Sequence, residues 1–318
     1  MTAISYKIKK PLLVLAKVLV LSISFGYIFY KINNAQTLTI EGFAAITLSK
    51  GPIAGYVLML ALLFAVANWY FEIRKWQTLV STFKNIRFKT AMKQSLASLT
   101  VSLATPNRIG EYGAKALFFE AKHRKKVLLL NFYSGSIQMI TTSIFGIIGL
   151  LYLFQKFNLS LAYKNIAIFG CIATSILGLG YYFRKRQFGF KGFSILKAFD
   201  FFKKLCFSVK LRVFLYSVVR YLVFSALFYG LLLFFGAKIG TLEALLLIYA
   251  MYFLVSILPT FFIFDVVIRS GIAVWVFSFA GVPELTVLAT VLAMWLLNFV
   301  LPALVGSFYV ATYQPSIS

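Results

Sequence analysis

The chain has 318 residues, of which 61% are apolar, 18% aromatic and only 13% charged. A soluble domain carries about 25% charged residues, so a water-soluble fold, a disordered chain and a fibrous chain are excluded and several membrane spans are expected. The net charge of +24 comes from 32 Lys/Arg against 8 Asp/Glu; in such an apolar chain it reads as basic loops facing anionic lipid head groups, with no nucleic-acid partner.

Lys7, Lys9 and Lys10 precede an apolar run over 11–30. Its length and the lack of a small-residue cleavage site predict a retained first helix. Further spans are expected at 53–73, 127–153, 165–183, 213–235 and 285–311. Each is long enough for a hydrocarbon core of about 30 Å. The apolar segment 94–105 is too short to cross. It meets Thr105-Pro106-Asn107-Arg108-Ile109-Gly110-Glu111 and continues as a second short helix near 112–121. That pattern predicts a re-entrant hairpin, which is tolerated at depth only where protein or a watery cavity covers it. Region 242–280 breaks at Pro259 and carries Asp265 and Arg269; a second hairpin and two full spans are both compatible with it.

With a cytoplasmic N-terminus, the inside segments 1–10, 74–93, 122–126 and 184–212 hold 22 Lys/Arg, against 5 in the outside segments. This bias predicts a multi-pass membrane protein with its N-terminus in the cytoplasm.

The pattern repeats. Span 53–73, a broken region and span 127–153 are followed, after the linking helix 165–183, by span 213–235, a second broken region and span 285–311. Pro106 precedes Glu111 and Lys115; Pro259 precedes Asp265 and Arg269. The expected fold is therefore a single all-α polytopic membrane domain over 1–318, an inverted-repeat helical bundle with two broken or re-entrant hairpins. Residues 53–153 form one half and 213–311 the other.

The two acid–base pairs are the sharpest chemical features. An acid and a base at i,i+4 share a helix face and can neutralise each other. A charge at membrane depth otherwise costs about 2.5–3.5 kcal/mol on insertion scales. Self-satisfied ion pairs and a shared polar site are both open at this level. Arg108, beside a helix start near Gly110, is a candidate phosphate donor. Asn131, Ser134, Gln138, Thr141 and Thr142 form a polar stripe on span 127–153, with Thr286, Thr290 and Asn298 a thinner one on 285–311. Either stripe could line a path or bond neighbouring helices. Substrate contacts are thus expected from Arg108, Glu111, Lys115, Asp265, Arg269, Asn131 and Gln138, and hinges from Pro106, Gly110 and Pro259. Arg74-Lys75-Trp76 reads as a boundary anchor and Arg220 as a snorkelling side chain. No Walker motif, catalytic cluster or metal-ligand spacing occurs, so neither enzyme activity nor a cofactor or metal is expected.

Thr105, Pro106, Gly110 and Glu111, in a T-P-x-x-x-G-E pattern after a short apolar helix, resemble the transmembrane domain of the lysylphosphatidylglycerol synthase family. Arg74-Lys75-Trp76 looks like that family's Arg/Trp boundary. The resemblance extends over about 10–312 and implies a flippase-type bundle that moves aminoacylated or related lipids between leaflets. Full-length members add a cytosolic aminoacyl-transferase domain; the sequence stops at Ser318, so transferase activity is not expected. The second half departs from the family's Gly-Glu pattern with Leu258-Pro259-Thr260. The function expected on that resemblance is a lipid flippase-like transporter in a bacterial inner membrane, with membrane phospholipids as partners. A secondary transporter of a small soluble anion and a non-transporting assembly protein are the alternatives, and self-association or a separate membrane or cytosolic partner is left open.

Overall fold

The computed structural model describes residues 40–105, 109–159, 195–257 and 265–314, with a few helical positions between 15 and 26. The expected spans 11–30 (in the main) and 165–183, and the positions Pro106, Arg108 and Pro259, lie outside the described residues. Described residues form helices and connections only. In chain order these are α1 (Ile40–Leu48), α2 (Pro52–Val80), α3 (Phe88–Leu103), α4 (Ile109–Leu117), α5 (Ala121–Lys156), α6 (Ile195–Lys203), α7 (Phe207–Phe234), α8 (Thr241–Ile257), α9 (Asp265–Ser278), α10 (Glu284–Trp295), a π-helical turn (Leu296–Val300) and α11 (Leu301–Ala311). Among the described residues four helical stretches are long and apolar enough to cross a membrane: α2, α5, α7 and the continuous run Glu284–Ala311. By length and composition the described part is that of a helical membrane protein.

Each half reads long helix, two short helices, long helix. The 16 residues of α3 rise only about 24 Å, and α4 is shorter still. Both ends of the α3–α4 pair lie at one end of the bundle. There Gln77 Nε2 donates to the Ile86 carbonyl, Phe83 packs on Phe119, and the Tyr313 hydroxyl donates to the Leu117 carbonyl at 2.6 Å. Both ends of α8–α9 lie at the other end, where Lys156 pairs with Glu243, Phe157 packs on Phe279 and Tyr229 meets Thr241.

The halves interlock. α5 packs along α8, α11 along α3, and α2 along α7. Glycines bring the first two pairs close: a Cβ built at Gly149 of α5 would fall 2.5 Å from Ala250 N, and one at Gly306 of α11 would fall 2.7 Å from the Leu96 carbonyl carbon. Small residues set such backbone approach in lipid, where helices gain no hydrophobic driving force from one another. The Thr100 hydroxyl then reaches across to donate to the Ala303 carbonyl at 3.0 Å. Gly306→Leu should therefore force α11 off α3, lowering the detergent-solubilised melting temperature by about 5 °C or more; a thermal melt followed by size-exclusion chromatography reads this.

Several boundaries differ from expectation. α2 runs to Val80 rather than stopping near residue 73, which carries Lys75 and Trp76 into the bundle wall. In region 242–280, where the sequence leaves a hairpin and two full spans open, the described residues form the two short helices α8 and α9. α1 and α6 fall in segments expected to be loops; α6 is tied down by Phe202, which packs on Phe132 and Tyr133.

Candidate functional site

Asn68, Glu72 and Lys75 of α2 recur at four and three residues, so they share one face. The Lys75 ammonium lies 2.8 Å from Glu72 Oε2, and Arg220 of α7 lies 3.0 Å from the same oxygen. Arg220 also donates through Nε to Asn68 Oδ1 (3.1 Å) and through Nη1 to Gln138 Oε1 of α5 (3.2 Å). One guanidinium thereby joins α2, α5 and α7. Its planar fork suits this: several donors leave one rigid group in fixed directions.

Asn68 Nδ2 donates to Asn298 Oδ1 at 2.9 Å, linking α2 to the π-helical turn. Pro302 explains that turn. A proline has no N–H, so the carbonyl four residues earlier, that of Asn298, loses its helical partner. The Trp69 indole N–H donates to that carbonyl at 3.2 Å instead.

On α4, Lys115 Nζ lies 2.7 Å from Glu111 Oε1 and donates to Asn131 Oδ1 of α5 at 2.8 Å. It also sits 4.5 Å from the centroid of the Trp76 ring. That ring is fixed by its own indole N–H, which donates to Gln94 Oε1 at 2.8 Å. Lys115 is 1% exposed and Lys75 2%. Such ammonium groups are stable at depth only because carboxylate, amide and ring face them together.

The Thr105–Glu111 motif has a local reason. The Gly110 N–H donates to Thr105 Oγ1 at 2.8 Å, capping the start of α4 with a side chain from the end of α3. A Cβ at Gly110 would fall 2.7 Å from that oxygen and 2.8 Å from the Val101 carbonyl oxygen, so only glycine fits the bend. Thr105 and Gly110 shape the turn, and Glu111 is delivered to Lys115.

These groups surround one cavity of about 410 Å³ between the two short-helix pairs. Its wall includes Lys75, Lys115, Arg220 and Arg269 against Glu72 and Glu111, an excess of positive charge among the described lining residues. In a water-poor interior such an excess favours an anion far more than it would in bulk water.

Of the expected contact residues, Glu111, Lys115, Asn131, Gln138 and Arg269 all line this cavity. Asp265 opens α9, and its side chain, like Arg108, lies outside the described part. Of the α5 stripe, Asn131, Ser134, Gln138 and Thr142 line the cavity; the Thr141 hydroxyl instead donates to the Ile137 carbonyl. Of the α10–α11 stripe, Asn298 alone lines it, while Thr286 and Thr290 donate to the carbonyls of Phe235 and Thr286.

Two readings are corrected. Lys75 and Trp76 are buried rather than anchored at a boundary, and only Arg74 keeps the surface role, stacked on Tyr70 and Phe88. Arg220 reaches inward to Glu72 rather than snorkelling outward. Glu72 had no assigned role. The signal that found Glu111–Lys115, an acid and a base one turn apart in apolar sequence, applies equally to Glu72–Lys75.

The molecule is thus defined as a helical bundle with membrane-spanning lengths around a charged internal cavity. No protein-family model, curated protein or solved structure matches the chain.

Proposed function

We propose that the protein is a lipid flippase-like transporter that takes the phosphate-bearing head group of a membrane lipid into this cavity and passes it between leaflets. The observation that carries the proposal is the cavity itself: 410 Å³, within the range of about 300–1,000 Å³ typical of ligand pockets, and lined by more basic than acidic groups at the depth where hairpin and long helices meet. Arg220 and Lys115 are the head-group donors, and acyl chains remain in the bilayer. Gly135 and Met139, near the middle of α5, line the cavity and are exposed among the described residues, Met139 to 39%.

In this reading α3–α4 and α8–α9 are re-entrant hairpins entering from opposite leaflets, and the two halves form an inverted repeat. Exchanging the halves maps α5 on α8 onto α11 on α3, with Gly149 and Gly306 in matching helices, which supports it. The resemblance of Thr105, Pro106, Gly110 and Glu111 to the lysylphosphatidylglycerol synthase transmembrane family supports the same function. The end carrying Lys84, Arg87, Lys122, Arg124, Lys204 and Lys210 faces the cytoplasm of a bacterial inner membrane. Cys206 is exposed at that end. In a Cys171→Ser background, a membrane-impermeant maleimide should label it in inside-out vesicles and leave it unlabelled in intact cells; the reverse pattern inverts the topology.

Liposomes test the function. Purified protein should speed leaflet exchange of labelled phosphatidylglycerol at least tenfold over protein-free liposomes, and Arg220→Gln should remove most of the gain. Glu72 keeps Lys75 as its partner in that variant, so the fold should persist. Exchange no faster than in protein-free liposomes, for phosphatidylglycerol and its lysyl derivative alike, sinks the proposal.

A further inference from the structure

Five buried side-chain polar atoms find no hydrogen-bond partner among the described residues: Glu72 Oε2 and the hydroxyls of Ser95, Tyr221, Ser225 and Tyr252. Glu72 Oε2 is already paired with two cations. Three of the four hydroxyls, those of Ser95, Tyr221 and Tyr252, belong to residues that line the cavity. Buried hydroxyls are nearly always satisfied, and an orphan at a cavity wall is a place where a ligand or water completes the bond. Burial here is deep, since Ser95 and Tyr221 are 3% and 4% exposed.

The two rings are held firmly. Tyr221 stacks on Phe145 with centroids 5.0 Å apart and lies 6.3 Å from Tyr252, which in turn packs on Phe224 at 5.1 Å and Phe228 at 5.8 Å. Donors fixed in this way lose little freedom when a ligand arrives. They also sit on a different part of the wall from Glu111 and Lys115. Tyr252 lies on α8 beside Arg269, with which it shares a smaller adjoining cavity, and Tyr221 follows Arg220 on α7.

We infer that Tyr221 and Tyr252 form a hydroxyl-recognising subsite, and that the head group is a phosphate ester of a polyol or sugar. This rests on the phosphate-binding reading above and adds what lies beyond the phosphate. Phenol hydroxyls both donate and accept, which matches alcohols better than it matches an ammonium. Aromatic rings offer flat apolar faces to the C–H side of a polyol.

The test is equilibrium binding to detergent-solubilised protein, read by intrinsic tryptophan fluorescence. Four probes are compared: short-chain phosphatidylglycerol, phosphatidylinositol and phosphatidic acid, and free glycerol 3-phosphate. Wild type should bind the two polyol lipids at least tenfold tighter than phosphatidic acid, which has the phosphate and no alcohol. Tyr221→Phe and Tyr252→Phe should each lower that preference about three- to tenfold and leave phosphatidic acid affinity and melting temperature unchanged. Glycerol 3-phosphate equal to phosphatidylglycerol supports the subsite with a soluble source; weaker binding supports it with a lipid source. A wild type that binds phosphatidic acid as tightly as the polyol lipids overturns this inference and leaves the phosphate reading intact. So does equal loss of all lipids in the phenylalanine variants. No binding of any probe overturns both.

Discussion

Glu72→Gln should be the most destabilising single substitution in the cavity wall. Glu72 is the shared counter-ion of Lys75 and Arg220, at 2.8 and 3.0 Å. Glutamine keeps the volume and much of the hydrogen bonding but leaves two cations facing each other in a low-dielectric wall. Removing one partner of a buried ion pair costs about 3–5 kcal/mol, because the other charge stays behind unpaired. The melting temperature in detergent should fall by on the order of 10 °C. Adding Lys75→Met to Glu72→Gln removes one stranded charge and should return part of the loss. A double variant no more stable than Glu72→Gln would show that Lys75 does not depend on Glu72. The contrast with Arg220→Gln is direct, since that change leaves a neutral Glu72–Lys75 pair and should lower stability much less.

The helical fold was legible because lipid makes composition decisive. Runs of about 20 apolar residues can satisfy their backbone only as helices, and α2, α5, α7 and the Glu284–Ala311 stretch stand close to their expected places. Their ends were less legible. Trp76 and Lys75 look alike whether they close a span or continue it inward, and the difference lies in Gln94 and Glu111–Lys115, which arrive from other helices. Arg220 shows the same limit. Its depth could be read from sequence, but its direction depends on Glu72, 148 positions earlier. The short helices α1 and α6 carry too few residues for periodicity to separate them from loops. The α5 stripe was legible only in part: helical spacing puts Thr141 within about 20° of Ser134, yet Asn131, Ser134, Gln138 and Thr142 line the cavity and Thr141 does not. The pair Tyr221 and Tyr252 comes from two helices and was invisible before they were assembled.

The Glu111–Lys115 pair separates a structural salt bridge from a working site. Lys115→Met alone leaves Glu111 without its ammonium partner and takes a donor from Asn131 and a cation from the Trp76 ring. Glu111 keeps a side chain 27% accessible, so its stranded charge can hydrate and the stability cost should be modest, about 1–2 kcal/mol. Combining Lys115→Met with Glu111→Gln removes both charges, and thermal stability should return to near the wild-type value. Transport should not return with it. If Lys115 is a head-group donor, both the single and the double variant should exchange labelled phosphatidylglycerol at least tenfold more slowly than wild type, because the anion loses a charge that no other group on α4 replaces. Recovery of exchange along with stability in the double variant would make the pair a fold element only. It would leave Arg220 and Arg269, on the opposite half of the bundle, as the groups that meet the phosphate.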